Sequence, residues 1–426
     1  MTDMPSANAS PQASPHRFSV LALLFLVYAF NFIDRQIIGI LAAPIKAELD
    51  LSDTQLGLLG GFAFALFYTG LGVPIAWLAD RTSRTWIMTI ALTVWSGFTA
   101  LCGMATTFTQ LFLARVGVGV GEAGGVAPAY SLIADYFPPK ERARALAVYS
   151  FGIPVGSAAG IAIGGALASL VDWRVAFVAV GLAGIVLAPI FRAFVREPVR
   201  GQFDAAPTTQ ARASIWSTAR TIAVKPSFWL LSFGAASSSI MGYGIFFWMP
   251  SFLMRSYDFT LQEASAFYAA LLLVGGVAGV WIGGFLADKL GQGRRSAYAL
   301  IPAIAFVLAL PCYAAGILSP SPVIAFALFL APTALGLFWL GPILTAVQHL
   351  AAASMRSTVS ALFLFINNLI GIGLGTLLIG ALSDALTARF GEEALRYSIL
   401  AGTGFYLVAA LLFALAARTL PKDWRD

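Results

Sequence analysis

Ala76-Trp77-Leu78-Ala79-Asp80-Arg81 closes one long apolar stretch, and Gly284-Phe285-Leu286-Ala287-Asp288-Lys289 closes another. Asp80 and Asp288 stand 208 residues apart, about the separation between the starts of the first and seventh apolar stretches. A chain that repeats its turn chemistry at that interval is built from two similar halves, an arrangement expected of large secondary transporters. Each stretch is long enough to cross a hydrocarbon core of roughly 30 Å, which takes about 20 apolar residues in a helix.

The 426 residues are 59% hydrophobic and 11% charged, with a mean hydropathy of +0.83. Soluble domains carry about 25% charged residues, so a water-soluble enzyme of this length is excluded. Twelve apolar windows follow one another, from 18–43 to 394–417, and a polar, basic interval from Gln202 to Lys225 parts them six and six. The expected fold is an all-α membrane protein with twelve transmembrane helices in two pseudo-symmetric six-helix halves. The halves are 18–195 and 227–418, joined by a cytoplasmic linker at 196–226. Residues 1–17 have the Ser-, Pro- and Ala-rich composition of a disordered tail, and 419–426 form a second tail. The first apolar run is too long for a cleaved signal segment and is expected to remain as a span. Most of the 26 Lys and Arg fall on the N-terminal side of the spans, which places both termini in the cytoplasm. The same skew accounts for the net charge of +6 without a nucleic-acid partner and leaves membrane lipids as the charged surface it meets.

Four charges lie where an apolar span should have none: Asp34 and Arg35 in the first, Arg115 and Glu122 in the fourth. Each costs roughly 2.5–3.5 kcal/mol at bilayer depth even on a lenient insertion scale, so they must face one another or water. Asn31 shares a helix face with Asp34 and Arg35, and Arg115 and Glu122 share one almost two turns apart. Tyr28 completes the polar cluster of the first span. A carboxylate beside an arginine has two states: charged, it holds the cation; protonated, it releases it. That is a proton-coupling device, with Asp34 and Glu122 as its candidate acids, Asp34 preferred, and Arg35 and Arg115 as charge partners.

Gly119-Val120-Gly121-Glu122-Ala123-Gly124 satisfies a dinucleotide fingerprint but lies inside a span, without the strand that fingerprint requires. Close helix contact explains these glycines better. Gly152, Gly156, Gly160 and Gly164, and likewise Gly275, Gly279 and Gly283, recur every four residues and make one smooth stripe per helix, a static packing surface or a sliding seam. No phosphate loop followed by Lys occurs, and His16 and His349 are the only histidines, so neither ATP hydrolysis nor a metal or other cofactor is expected. Cys102 and Cys312 read as buried small hydrophobes.

The second half carries no charge well inside its spans. It offers Tyr243, Phe246, Phe247 and Trp248, Phe338 and Trp339, Phe363 and Phe365, with Asn367 and Asn368 for polarity. One charged wall facing one apolar wall suits an amphipathic solute. Tyr28, Asn31, Tyr243, Phe247, Trp339, Phe363 and Asn367 are the expected substrate contacts.

The stretch Ala76 to Arg84 is similar to the cytoplasmic loop motif of the major facilitator superfamily, with Ala76 and Ser83 where that motif has glycine, and Gly284 to Gly291 is a second copy. Within the superfamily, Asn31-Phe32-Ile33-Asp34-Arg35, Arg115 through Glu122-Ala123, Ile153-Pro154-Val155-Gly156-Ser157 and Val195-Arg196-Glu197-Pro198 resemble Spinster-type lipid transporters. The resemblance implies a bacterial inner-membrane carrier that works by alternating access, as a monomer, on lysophospholipid- or sphingolipid-like molecules, with protons coupled at Asp34 and Glu122. It makes Asp80, Arg81, Arg84 and Asp288 a cytoplasmic gate motif. It also favours a seam between the halves for Gly152, Gly156, Gly160, Gly275, Gly279 and Gly283. A drug or aromatic-acid exporter is the alternative, and a channel or scramblase a more distant one.

Overall fold

The structure, a computed structural model, describes residues 15–203, 215–279, 281–282, 294–352 and 355–425. Among these the regular structure is helical, with no strands. The helices form twelve passages: α1 (Arg17–Ile40), α2 (Asp53–Ala79), α3 (Arg84–Cys102), α4 (Phe108–Glu122 and Val126–Tyr136), α5 (Pro139–Leu170), α6 (Trp173–Phe194), α7 (Pro226–Tyr257), α8 (Leu261–Gly279), α9 (Ala297–Leu318), α10 (Pro322–Gln348), α11 (Arg356–Phe390) and α12 (Ala394–Gly402 and Gly404–Asp423). Ten candidate membrane spans result by length and apolar composition, because Thr358–Asp423 runs together as one and α4 is broken. That break is a turn at 123–125, in the glycine-rich segment. Gly283 and Asp288, and with them the second copy of the loop motif, lie outside the described residues.

Helices α1 to α6 pack chiefly among themselves, α1 on α5 and α3 on α6, and α7 to α12 do likewise, α7 on α11 and α12. Across the boundary α2 meets α11, α5 meets α8 and α1 meets α7. Large apolar side chains such as Leu113, Val186 and Leu411 point outward, as a lipid-facing perimeter requires. Part of the interval read as a linker is a helix, Ile215–Ala223, which buries Thr218 and Ile222 and rests on α7 and α11.

The glycine stripes do not lie where a seam would need them. A Cβ on Gly156 would meet the backbone of Ala29, one on Gly160 that of Ile33 and one on Gly152 the ring of Tyr28, so this stripe packs α5 on α1 within the first half. Gly275 faces Thr333, and Gly279 faces Ala334, both on α10 of the second half. The contact between halves is made by other glycines: Gly57 and Gly61 of α2 against Thr376 and Ile372 of α11, Gly165 against Ser265, and Gly276 against Pro154. Every-fourth spacing identifies a smooth face but not its partner. The GxGxxG glycines are close helix contacts as expected, Gly119 on Phe64 and Gly121 on Trp95.

Two π-helical turns interrupt otherwise α-helical passages, Leu58–Phe62 in α2 and Leu272–Gly276 in α8. They hold similar sequences, Leu-Leu-Gly-Gly-Phe and Leu-Leu-Val-Gly-Gly, and each touches the opposite half, α11 and α5 respectively. A π turn inserts one residue and is frequently found at functional positions.

Candidate functional site: buried charges beside a central cavity

Neighbours on a helix point about 100° apart, so Asp34 and Arg35 cannot pair with each other and reach separately toward α4. Arg35 Nε donates to Glu122 Oε2 at 2.7 Å, and Arg115 Nη1 lies 3.6 Å from Asp34 Oδ2. The Thr99 hydroxyl of α3 donates to Asp34 Oδ1 at 2.5 Å. Arg35 lies against a stacked pair of aromatic rings, its guanidinium carbon 4.7 Å from the Phe64 ring centre and 4.6 Å from that of Tyr68. The cluster is deeply buried: Glu122 is 0% exposed, Asp34 and Arg115 1% and Asn31 2%.

In front of it lies a small central cavity of about 40 Å³, room for little more than a water molecule. Arg35 and Arg115 line it from the first half, and Tyr243, Phe246 and Phe247 of α7 and Ile372 of α11 from the second. Asp34 and Glu122 do not line it. The two arginines are therefore a wall with carboxylates behind and a cavity in front. Phe246 also lines a second, apolar cavity between α5 and the second half, where Tyr268, Tyr313, Tyr406 and Leu272 face Pro154.

Of the expected substrate contacts, Tyr243 and Phe247 reach the central cavity. Tyr28 stacks on Tyr149 at 4.2 Å, and Trp339 packs edge-on against the fully buried Phe363 at 6.4 Å; these rings are core. Asn367 accepts from Ser239 Oγ at 2.9 Å, which ties α11 to α7. Asn31 is buried and does not line the cavity.

The end of the bundle carrying both termini we term the terminal face. Here Arg84, expected as a gate, is buried within the first half, donating to Asp135 Oδ2 at 2.5 Å, Glu197 Oε1 at 2.7 Å and Ser131 Oγ at 2.7 Å. Arg81 stacks on Trp77, 3.9 Å from its ring centre, and Arg200 donates to the carbonyls of Ala79, Asp80 and Thr82. The segment after α6 thus straps the ends of α2, α3 and α4 together. Partial burial pushes the Glu197 carboxyl up, but the Thr85 N–H and Arg84 outweigh it and hold the carboxyl below the usual range.

The opposite face holds residues the sequence reading missed. Asp53, at the start of α2, receives a two-pronged bond from Arg255 of α7, both contacts at 2.7 Å, and further bonds from Lys46 and from Ser383 of α11. Asp384 of α11 in turn accepts from the Asp53 and Thr54 N–H groups at 3.0 and 2.8 Å. One helix of the second half thus caps a helix of the first. Thr376 Oγ1 adds a bond to Gly57 O at 2.6 Å. These residues sit at span ends, where a charge costs little and draws no notice in a hydropathy reading; Ser52 and Gln55 form a capping box at the same helix start.

Twelve membrane-length passages, two pseudo-symmetric halves and buried charge at their meeting point define a membrane carrier that moves a small solute by alternating access. The chain belongs to the Major Facilitator Superfamily, whose profile matches residues 24–376. It is similar to the crystal structure of a bacterial homologue of the human lysosomal transporter Spinster in an inward-facing, unoccupied conformation, with a TM-score of 0.88, 34% identity and coverage of 97% of this chain and 100% of that one. It is 36% identical over 409 residues to an MFS-type efflux pump of Mycolicibacterium smegmatis, covering 95% of this chain and 94% of the pump. It is 28% identical over 379 residues to Protein spinster of Drosophila melanogaster, covering 87% of this chain and 62% of that protein.

Proposed function

We propose that this carrier couples proton movement to transport of an anionic amphipathic solute of the lysolipid kind, with Arg35 and Arg115 shared between substrate and carboxylates. The carrying observation is the crossed pairing, Arg35 to Glu122 and Arg115 to Asp34, with both arginines also lining the cavity. An anionic head group that binds the arginines takes cations away from buried carboxylates, and a buried carboxylate without its cation binds a proton. Head group and proton then load the same state and travel together. The apolar cavity past Phe246 suits the tail, since each buried methylene contributes about 0.8 kcal/mol. The lipid assignment comes from the Spinster resemblance of the sequence motifs, with which the likeness to a bacterial Spinster homologue agrees. In this reading the terminal face is cytoplasmic, the membrane is a bacterial inner membrane, and one copy suffices.

The test is uptake into proteoliposomes under an imposed pH gradient, across a chain-length series of lysolipids and a panel of non-lipid amphiphiles. Gradient-driven accumulation that rises with tail length and is lost in Asp34→Asn is expected. Accumulation without dependence on tail length would favour the second reading, a proton-coupled exporter of smaller organic molecules, which the likeness to an efflux pump supports.

A further inference from the structure

We propose that a groove between α1 and α5 at the terminal face is a binding site for an anionic phospholipid of the adjoining leaflet, its phosphate on Arg144 and one acyl chain along the groove. The proposal depends neither on proton coupling nor on the identity of the carried solute. The groove has a volume of about 670 Å³, within the roughly 300–1,000 Å³ of ordinary ligand pockets. It shares no lining residue with the central cavity or with the apolar cavity past Phe246.

Each helix supplies one stripe. Phe18, Ala22 and Phe25 line the groove from α1, and Arg144, Val148 and Phe151 from α5, each set at the three- and four-residue steps of a single helix face. Polarity is sorted along the groove. Arg17, Glu141 and Arg144 stand at its mouth, near the starts of the two helices. The apolar walls run inward to Phe25 and Phe151, eight residues past Arg17 and seven past Arg144. That is about 10–12 Å at 1.5 Å per residue. Phe18 is 63% exposed and Val148 40%, so the walls offer open apolar surface for a chain to cover. A charged mouth above an apolar floor is the order of a phospholipid, head at the interface and tails inward.

The charges at the mouth select the head group. Arg17 Nη2 lies 3.2 Å from Glu141 Oε2, and its guanidinium packs on Phe18 and Phe137, so that pair is satisfied internally. Arg144 is exposed and has no hydrogen-bond or ion-pair partner among the described residues. One positive charge is left over, and no unmatched carboxylate remains for an ammonium group. A guanidinium meets two phosphate oxygens at once, so a head group of net negative charge fits here better than a zwitterionic one. Basic pockets between membrane helices take anionic head groups in this way. All the lining residues belong to the first half, so rocking of the halves leaves the groove intact and its occupant in place. A lipid seated there braces α1 on α5, and α1 carries Asp34 and Arg35.

The test titrates full-length protein in detergent with phosphatidylglycerol, phosphatidylcholine, lysophosphatidylglycerol or inorganic phosphate, counting bound lipid by native mass spectrometry and following Tm. The expected result is one phosphatidylglycerol held more tightly than phosphatidylcholine, with a rise in Tm. Arg144→Gln should weaken that binding about tenfold. Ala22→Trp, which fills the groove from its exposed side and keeps the charges, should abolish it. Lys422→Gln removes an exposed charge from the same face outside the groove and should leave binding unchanged. Equal retention of the two phospholipids would overturn the site, as would equal losses in Lys422→Gln and Arg144→Gln, or full retention in both Arg144→Gln and Ala22→Trp. A Tm rise reproduced by inorganic phosphate alone would make this a soluble-anion site. Tighter binding of lysophosphatidylglycerol would make it a loading site for the carried solute, and either outcome overturns the resident lipid. The wild-type comparison decides between the lipids even if Ala22→Trp does not fold.

Discussion

Asp34 lies one residue from a guanidinium that is not its partner, and that offset sets what each substitution does. Removing one member of a buried ion pair costs about 3–5 kcal/mol, because the other is left charged and uncompensated. Arg115→Ala is therefore expected to lose far more transport and thermal stability than Arg115→Lys, which keeps the cation. Asp34→Asn in the Arg115→Ala background should recover part of the lost stability, and Glu122→Gln should recover less, since Asp34 is the carboxylate beside Arg115. Equal recovery in a melting assay would refute the crossed pairing. These four charges were legible in the sequence because the bilayer makes each one costly. Which arginine meets which carboxylate was not legible, since periodicity places residues on a face without naming the partner across from it. Asp53, Arg255 and Asp384 carry equally specific bonds and were not legible, since nothing about a charge at a span end is unusual.

Smooth helix faces were legible at the scale of elements, but their partners were not. The every-fourth glycines of α5 seat α1, so Gly156→Leu is expected to impair folding rather than turnover: its side chain would run into the backbone of Ala29, which cannot yield as a flexible side chain can. Gly242→Ala, facing open space, should be tolerated. If Gly156→Leu is recovered in normal yield with a normal melting temperature, the assigned contact is wrong. The strap after α6 gives a pH test. Glu197 has a folded-state pKa below its unfolded value, so its contribution is present above about pH 4.5 and fades as pH falls through the folded value. Glu197→Gln should lower Tm at neutral pH, and the gap to wild type should close in acid. A gap that stays constant with pH would show that the carboxylate charge is not what holds Arg84. The motif at Asp80 to Arg84 reads in the sequence as a gate, whereas Arg84 turns inward because Asp135 and Glu197, far away in sequence, converge on it.

For the whole molecule, the bonds of Asp53, Thr54 and Gly57 to Arg255, Thr376, Ser383 and Asp384 join the halves at the opposite face. Alternating access requires them to break in every cycle. Asp53→Asn combined with Arg255→Gln is expected to shift the population toward the state open at that face by about tenfold, if the latch is worth about 1.4 kcal/mol. Spin labels at the outer ends of α2 and α11 would report it as a growing long-distance component. An unchanged distance distribution would mean that apolar packing alone holds the face shut. The twelve-passage architecture itself was fully legible, because length and hydropathy suffice for it in lipid.

The cap supplied by Asp384 has one more consequence. The first turn of α2 borrows its acceptors from the other half of the molecule, so its backbone amides are chemically protected only while that face is shut. Each opening hands the Asp53 and Thr54 N–H groups to Ser52 or to solvent, and hydrogen exchange at those two amides therefore runs as a clock of gate opening. Opening of that face becomes readable from two backbone amides, without spin label or vesicle.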